Sequence, residues 1–335
     1  MKVVLVVPPD TPITGGNFVS AERLKTGLSR LGIETHVEKF HSRMQGYDVY
    51  HAWNAVHVGK RLLEHNIDPQ KIVVTWTGTD LWGDWAKNPQ PIRRALSPLQ
   101  HQVVFTPNAK KRLLADAPEW DDIVEVIGPS VDETLFYPAD SPHTREWPPL
   151  VVIAGGVRPV KRSAWAIDLV ETARSRLAYD FQLAVLGPVR DFEEWERVIQ
   201  ASKGKPWVHI VGEIPKDSMR EWYQRATIVL NSSRIEGVSN ALMEAMSSQA
   251  LVVATNIHGN RYLIEHGNTG FLFDDTEGLV EAFRFVMENP EQSERIRRNA
   301  RMRILSRHLP SHEAQAYAAI YRRMAWSLCS RGCGL

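Results

Sequence analysis

TIVLNSSRIEGVSNALMEAMSSQALVVATNIHGN, residues 227–260, packs a strand, a loop, a helix and a second strand into one run. Thr227 to Asn231 is a short β-branched apolar stretch of the buried-strand type. Ser239 is a natural N-cap, and Asn240 to Ser248 carries Ala, Leu, Met, Ala and Met, all good helix formers. Leu251 to Thr255 then reads as another buried strand. A strand, a helix and a further apolar strand form the unit from which parallel sheets with crossover helices are built.

The same alternation extends in both directions. Upstream lie KVVLVV (2–7) ahead of a helical pattern from Val19 to Leu31, KIVVTW (71–76), and QVVFTP (102–107) ahead of Ala109 to Leu114. It breaks at GPSVDETLFYPADSPHTREWPP (128–149), whose five prolines and lack of a long apolar run mark an interdomain connection. It restarts with LVVIAGG (150–156), a helix from about Arg162 to Leu177, FQLAVLG (181–187) and WVHIVG (207–212). After Thr276 three helical segments follow, the last roughly His312 to Leu328, with Leu309-Pro310-Ser311 as its start signal.

The expected fold class is α/β, with two Rossmann-like domains whose parallel sheets face across a cleft. The expected boundaries are 1–135 for the first domain, 136–149 for the linker, 150–308 for the second domain, and 309–335 for a final helix that crosses back to the first. In open parallel sheets, ligands bind beyond the carboxyl ends of the strands.

Composition narrows the function. At 335 residues, 43% hydrophobic and 24% charged, the chain suits two ordinary globular domains. A net charge of +1 provides no general basic field, so no nucleic-acid partner is expected and any anion must be held locally. The apolar start MKVVLVV stops at Pro8, too early for a signal-peptide core, and no stretch approaches the roughly 20 apolar residues of a spanning helix. A cytoplasmic protein is expected; membrane-surface association has no basic amphipathic helix to support it. Cys329 and Cys333, together in the tail, are read as incidental. The sequence leaves oligomeric state open.

Chemistry centres on two glutamates. Glu236 precedes, and Glu244 follows, the Gly237-Val238-Ser239-Asn240 turn into the helix, whose N-terminus is a ready anion site. Around Glu244 the i±3 and i±4 neighbours are Asn240, Ala241, Ser247 and Ser248, a small polar face that a ligand can approach. Flanking buried-type strands leave this acid little route to solvent, and vicinal sugar hydroxyls are suitable donors to a buried acid. The plainer reading is a loop charge and an acid favoured by the helix dipole.

Taken with Ser232-Ser233, Leu242-Met243-Glu244-Ala245-Met246, Val252-Val253-Ala254-Thr255, Gly259 and Gly267-Asn268-Thr269-Gly270-Phe271-Leu272, this block resembles the signature of the family 4 (group 1) retaining glycosyltransferases of the GT-B fold. The resemblance implies a donor domain in the second half and an acceptor domain in the first. Glu236 would face the donor sugar, Glu244 would take both ribose hydroxyls, and the backbone of Gly237, Val238, Ser239 and Asn240 would face sugar and diphosphate. In IAGGVRPVKR (153–162) it implies a diphosphate clamp at Gly156, Arg158 and Lys161, with Arg162 as a weaker third cation. In GEIPKDSMREWY (212–223) it places Ile214 on the nucleobase. Gly15, Gly16 and Asn17, in PPDTPITGGNFVSAERL (8–24), match a loop that approaches the donor phosphates.

One segment departs from the pattern. Where many members present a histidine, this chain has Thr77-Gly78-Thr79-Asp80, similar to a subgroup of short enzymes that includes the glycosyltransferase-1-domain-containing proteins and the selenosugar synthases. Asp80 becomes the candidate acceptor-side acid or base; an Asx-turn or N-cap is its plainer role. His51 and His57 are further candidates, and Trp53, Trp76, Trp82 and Trp85 could face a sugar or fill a core.

The expected activity is metal-independent, retaining transfer from a nucleoside-diphosphate sugar, with a UDP-sugar favoured, to a small-molecule, glycan or lipid acceptor, and without a cofactor. Rival readings are a nucleotide-sugar epimerase or hydrolase and a non-catalytic nucleotide-sugar binding module. A nicotinamide oxidoreductase is disfavoured because neither half has the G-x-G-x-x-G fingerprint.

Overall fold

The structure is a computed structural model that describes residues 1–140 and 147–332. Cys333 and the linker residues 141–146 lie outside the described residues, as does the side chain of Cys329. Two compact units emerge, one of Met1–Ser130 with Arg307–Leu335, the other of Val131–Ser306. Val131 and Phe136 are buried in the core of the second unit, so the stretch after the first break in alternation packs with the half that follows it.

In the first unit the strands are β1 (Lys2–Val7), β2 (Glu34–Lys39), β3 (Val49–Trp53), β4 (Ile72–Trp76), β5 (Gln102–Val104) and β6 (Val124–Val126). They form one parallel sheet in the order β2-β1-β3-β4-β5-β6. β3 and β4 are buried along their whole length, as the near-continuous apolar runs of a two-faced sheet require. β2, at the edge, is the mostly polar ETHVEK, and no apolar run announces it.

The last helix, Pro310–Gly332, belongs to this unit. It lies so close to the helix Gly16–Arg30 that a Cβ on Gly27 would stand 2.7 Å from the Ala314 methyl carbon. Its two tyrosines also reach under the sheet. The His51 ring bonds the Tyr321 hydroxyl through Nδ1 at 2.7 Å and Thr75 Oγ1 through Nε2 at 2.7 Å, and Thr75 meets the Tyr317 hydroxyl at 3.0 Å. His51 is therefore a bonded core residue rather than a ligand-facing one.

Burial pushes the His51 imidazole down to about 3. The unfolded chain thus binds a proton that the folded chain refuses between about pH 6.5 and pH 3, and stability rises with pH across that window. Taking the protein from pH 7 to pH 5 is expected to cost about 2 kcal/mol through this group. Urea titrations at the two pH values check it: His51→Gln should flatten the difference, and an unchanged pH dependence would contradict the assignment.

The second unit carries β7 (Leu150–Ala154), β8 (Gln182–Leu186), β9 (Val208–Gly212), β10 (Ile228–Asn231), β11 (Val252–Thr255) and β12 (Phe271–Phe273). This sheet is also parallel, in the order β12-β11-β10-β7-β8-β9. Counted from β7, that is the doubly wound nucleotide-fold order, in which the chain reverses direction across the sheet between β7 and β10. The loops after those two strands are where such a sheet binds its ligand. Among the described residues, no helix is long and apolar enough to cross a membrane.

Candidate active site

The loop after β7 opens with Gly155 at φ +142° and runs through Gly156 to Lys161, ahead of the helix Ser163–Leu177. A side chain at Gly187, after β8, would sit 2.2 Å from the Gly155 carbonyl oxygen, so this close approach of the two loops requires glycine at 187. The loop after β10 carries Ser232 to Ser239 and enters the helix Asn240–Ser247, with the Ser239 side chain accepting from the Leu242 N–H. Here the helix and its cap fall where the sequence reading put them.

Three hydrogen bonds pin these loops together. The Arg234 N–H donates to the Val160 carbonyl at 2.8 Å, the Ser232 hydroxyl to the Lys161 carbonyl at 2.7 Å, and Arg162 Nε to the Ser232 carbonyl at 2.7 Å. Arg162 also stacks its guanidinium 4.0 Å from the centre of the Trp165 ring. It is thus a brace, already committed to the loop and to an aromatic face.

Between the loops Lys161 Nζ meets Glu236 Oε1 in an ion pair whose side chains are 15% and 11% exposed. The Ser233 hydroxyl donates to the same carboxylate oxygen at 2.7 Å. Burial pushes the Glu236 carboxyl up, but Lys161, Ser233 and the charge of Arg158 outweigh it and hold the group below the usual carboxylate range. Arg158 itself is exposed.

A buried amide system supports the pair. Asn231 Nδ2 donates to Ser239 Oγ at 3.3 Å, and its Oδ1 accepts from the Ser233 N–H at 3.1 Å and from Asn260 Nδ2 at 3.2 Å. Thr255 closes the ring by donating to the Ser233 carbonyl at 2.6 Å. The sequence reading assigned no role to Asn231, Asn260 or Thr255. The available signal was Asn231 itself, an amide that ends an otherwise apolar buried strand and must find partners there.

Glu244 corrects one expectation. It is partly exposed rather than buried, and it accepts a hydrogen bond from the Tyr223 hydroxyl at 3.0 Å. The helix turns this residue off the face formed by Leu242, Met243, Ala245 and Met246, which is fully buried. Tyr223 is itself 1% exposed, so its hydroxyl is held for this carboxylate. Ile214 and Val238, both partly buried, pack against the same core as Tyr223. Tyr223→Phe, which keeps the ring and removes the bond, is expected to lower stability by about 1 to 2 kcal/mol. Urea titration of the variant reads it.

The remaining candidates lie in the first unit. Gly15 is the N-cap of the helix that starts at Gly16, with Asn17 in its first turn. Asp80, after β4, is fully buried. Its carboxylate accepts backbone N–H groups from Ala55 at 2.9 Å, Thr77 at 2.9 Å, Gly78 at 2.8 Å and Leu81 at 3.0 Å. Burial pushes this carboxyl up, against the pull of those donors. With no exposed surface to offer an acceptor, Asp80 is placed as a loop anchor and not as an acid or base. Trp76 and Trp85 are buried in the core with Trp120, as core packing requires of most of these rings. Among the described residues no three His, Cys, Asp or Glu side chains gather as a metal-binding group.

A parallel sheet of doubly wound order, with a lysine–glutamate pair and a helix tip at its point of reversal, places the chain in the nucleotide-fold class. Comparison with known proteins narrows the class. Residues 148–289 match the family described as glycosyl transferases group 1. Over 174 residues the chain is 30% identical to glycosyltransferase 1 domain-containing protein 1 of Xenopus tropicalis, a match covering 51% of this chain and 49% of that relative. It is 24% identical over 347 residues to the alpha-maltose-1-phosphate synthase of Mycolicibacterium smegmatis, covering 96% of this chain and 87% of the relative. Among solved structures, Anabaena HepE in complex with UDP and glucose superposes with a TM-score of 0.78 at 16% identity, covering 96% of this chain and all (100%) of that one. Sucrose-phosphate synthase from Thermosynechococcus elongatus superposes with a TM-score of 0.77 at 16% identity, over 98% of this chain and 100% of that one. Residues 148–289 thus carry a group 1 glycosyltransferase domain, and the chain shares the GT-B fold of these structures.

Proposed function

We propose that the protein transfers a sugar from a nucleoside-diphosphate sugar, preferentially a UDP-sugar, to a hydroxyl of a small-molecule, glycan or lipid acceptor in the cytoplasm. Transfer retains anomeric configuration, in the manner of family 4, and needs no metal. The observation that carries this reading is the Lys161–Glu236 pair at the reversal point between β7 and β10, beside a glycine turn and a capped helix start. That HepE was solved with UDP and glucose supports a nucleotide-sugar donor here.

In this reading Lys161 and Arg158, with the N–H groups at the tip of the helix Asn240–Ser247, take the charge that builds on the departing diphosphate. Glu236 faces the donor sugar and shares Lys161 with the phosphates. Glu244, its orientation fixed by Tyr223, holds the ribose hydroxyls, and Ile214 packs on the base. The Gly156 turn keeps side chains away from the diphosphate. The bond between the anomeric carbon and the phosphate oxygen breaks while that carbon bonds the acceptor oxygen on the same face. The acceptor's proton passes to the departing phosphate oxygen.

A thermal-shift screen with UDP-, GDP- and ADP-sugars tests the donor class, since a ligand that binds only the native state raises apparent stability. Stabilisation by none of them would overturn the reading. Proton NMR of the product's anomeric signal tests retention, and full activity in EDTA tests metal independence. Glu244→Gln is expected to weaken donor binding at least about 10-fold, because a neutral amide replaces the charged acceptor of two hydroxyls. Donor titration of the variant checks this.

A further inference from the structure

The second sheet ends at β9, which among the described residues pairs on one side only, with β8. The Leu183 N–H bonds the Trp207 carbonyl. Alternate residues of a strand bond to the same side, so the N–H and C=O of Ile210 point away from β8. Such an edge is a template for another strand, and proteins commonly blunt it with lysine, proline or a covering element. β9, VHIVG, contains neither residue, and its His209 and Val211 are exposed.

The helix Phe192–Ser202, between β8 and β9, adds an apolar stripe beside this edge. Its Val198 is buried in the core. Glu193, Glu196, Arg197 and Gln200 turn toward the helix Ser163–Leu177, where they line a groove with Ala164 and Asp168. That neighbouring helix follows β7, on the inner side of β8, so the opposite flank of Phe192–Ser202 lies toward the outer edge of the sheet. At about 100° per residue, Phe192, Trp195 and Ile199 fall on that outer flank. Trp195 is half-buried against the core, whereas Phe192 is 82% and Ile199 41% exposed.

The charges on the helix are an independent observation. Arg197 pairs with Glu193 and Glu194, and Lys205, just past the helix end, pairs with Asp168 and Glu171. Glu196 and the C-cap Lys203 are exposed beside the stripe and hold no ion pair among the described residues. Opposite in sign and two turns apart, they answer each other across a two-fold axis: Glu196 of one copy faces Lys203 of the other, and the reverse.

We propose that the β9 edge and this helix stripe are the interface of a symmetric homodimer. The two β9 strands pair antiparallel, with Ile210 opposite its own copy and exchanging both backbone hydrogen bonds with it, so that the second sheets of two chains continue into each other. Strands lie about 4.8 Å apart, so two helices that each sit between β8 and β9 come about 10 Å from one another, the spacing of packed helices. Ile199 then meets Ile199 near the axis, with Trp195 and Phe192 to either side and the Glu196 and Lys203 pairs beyond. A second copy fits this surface better than an extended peptide of another protein, which would fill the edge and leave the stripe and its two charges unanswered. The inference concerns the second unit alone and does not depend on the transfer reading.

Sedimentation equilibrium of the full chain is expected to give twice the mass of one chain, falling to a single mass on dilution. Hydrogen exchange over the same dilution series should show the amides of residues 208–212, Ile210 above all, protected in the dimer and open in the monomer. Ile199→Lys should weaken association at least about 10-fold, and so should Glu196→Lys and Lys203→Glu, each of which sets like charges face to face twice. Combining Glu196→Lys with Lys203→Glu should bring association back to within about threefold of the parent, a rescue that a folding defect does not give. Thermal unfolding of the variants, measured where all are monomeric, should match the parent. A chain that stays monomeric at every concentration overturns the proposal. So does a dimer that ignores Ile199→Lys and the charge changes, or one that leaves the 208–212 amides unprotected.

Discussion

Replacing Lys161 by alanine is expected to lower turnover of the nucleotide sugar by about 100-fold, because removing one group that stabilises developing charge costs on the order of 100- to 1000-fold in kcat. Two losses combine. In the proposed transfer the departing diphosphate would lose its most enclosed cation, leaving Arg158, which is exposed and therefore screened by water. Glu236 loses its ion-pair partner while remaining mostly buried, keeping Ser233 and the longer 3.4 Å contact from Asn231 as side-chain donors.

With the lysine gone, the largest pull against burial is lost and the Glu236 carboxyl moves upward. Combining Lys161→Ala with Glu236→Gln should therefore cost less than the sum of the single changes, as expected for residues in direct contact. Steady-state kinetics of UDP release on all three variants decides the matter. A Lys161→Ala enzyme within about threefold of the parent would remove the lysine from the reaction.

Gly259→Ala is expected to lose donor binding without touching any charged group. In the short helix His258–Leu263, Gly259 lies against the loop that carries Glu236. A Cβ there would stand 2.5 Å from the Glu236 carbonyl oxygen and 2.6 Å from that of Gly237. Both obstacles are backbone, so neither can be relieved by rotating a side chain. The helix or the loop must shift, at about 1 to 3 kcal/mol for an overpacked site. Because Asn260 is bonded to Asn231, a moved helix also pulls on the amide system beneath the Lys161–Glu236 pair. Urea midpoint and UDP-sugar thermal shift should both fall; a variant that matches the parent in both measurements would show that the close approach does not govern the loop.

Much of this was legible in one dimension. Long apolar runs such as KIVVTW and LVVIA are strands wherever they occur in a sheet covered on both faces, and Ser239 caps its helix by a bond only three residues long. The strand β2 was not legible: an edge strand meets water, so its polar ETHVEK carries no apolar signature. Neither were the π-helical turns Ala55–Gly59 and Asp80–Trp85 after β3 and β4, which depend on an aspartate bonding backbone that is 25 residues away from it in sequence.

The sequence by itself therefore determined the α/β class, the strand–loop–helix units and the residue types at the loop ends, since each depends on neighbours within a few positions. Only the tertiary structure decided which of those residues act together. Lys161 and Glu236 are 75 positions apart and meet because β7 and β10 are adjacent in the sheet. Glu244 proved half-exposed and Asp80 enclosed because solvent exposure depends on everything packed around a side chain, and local sequence does not record that.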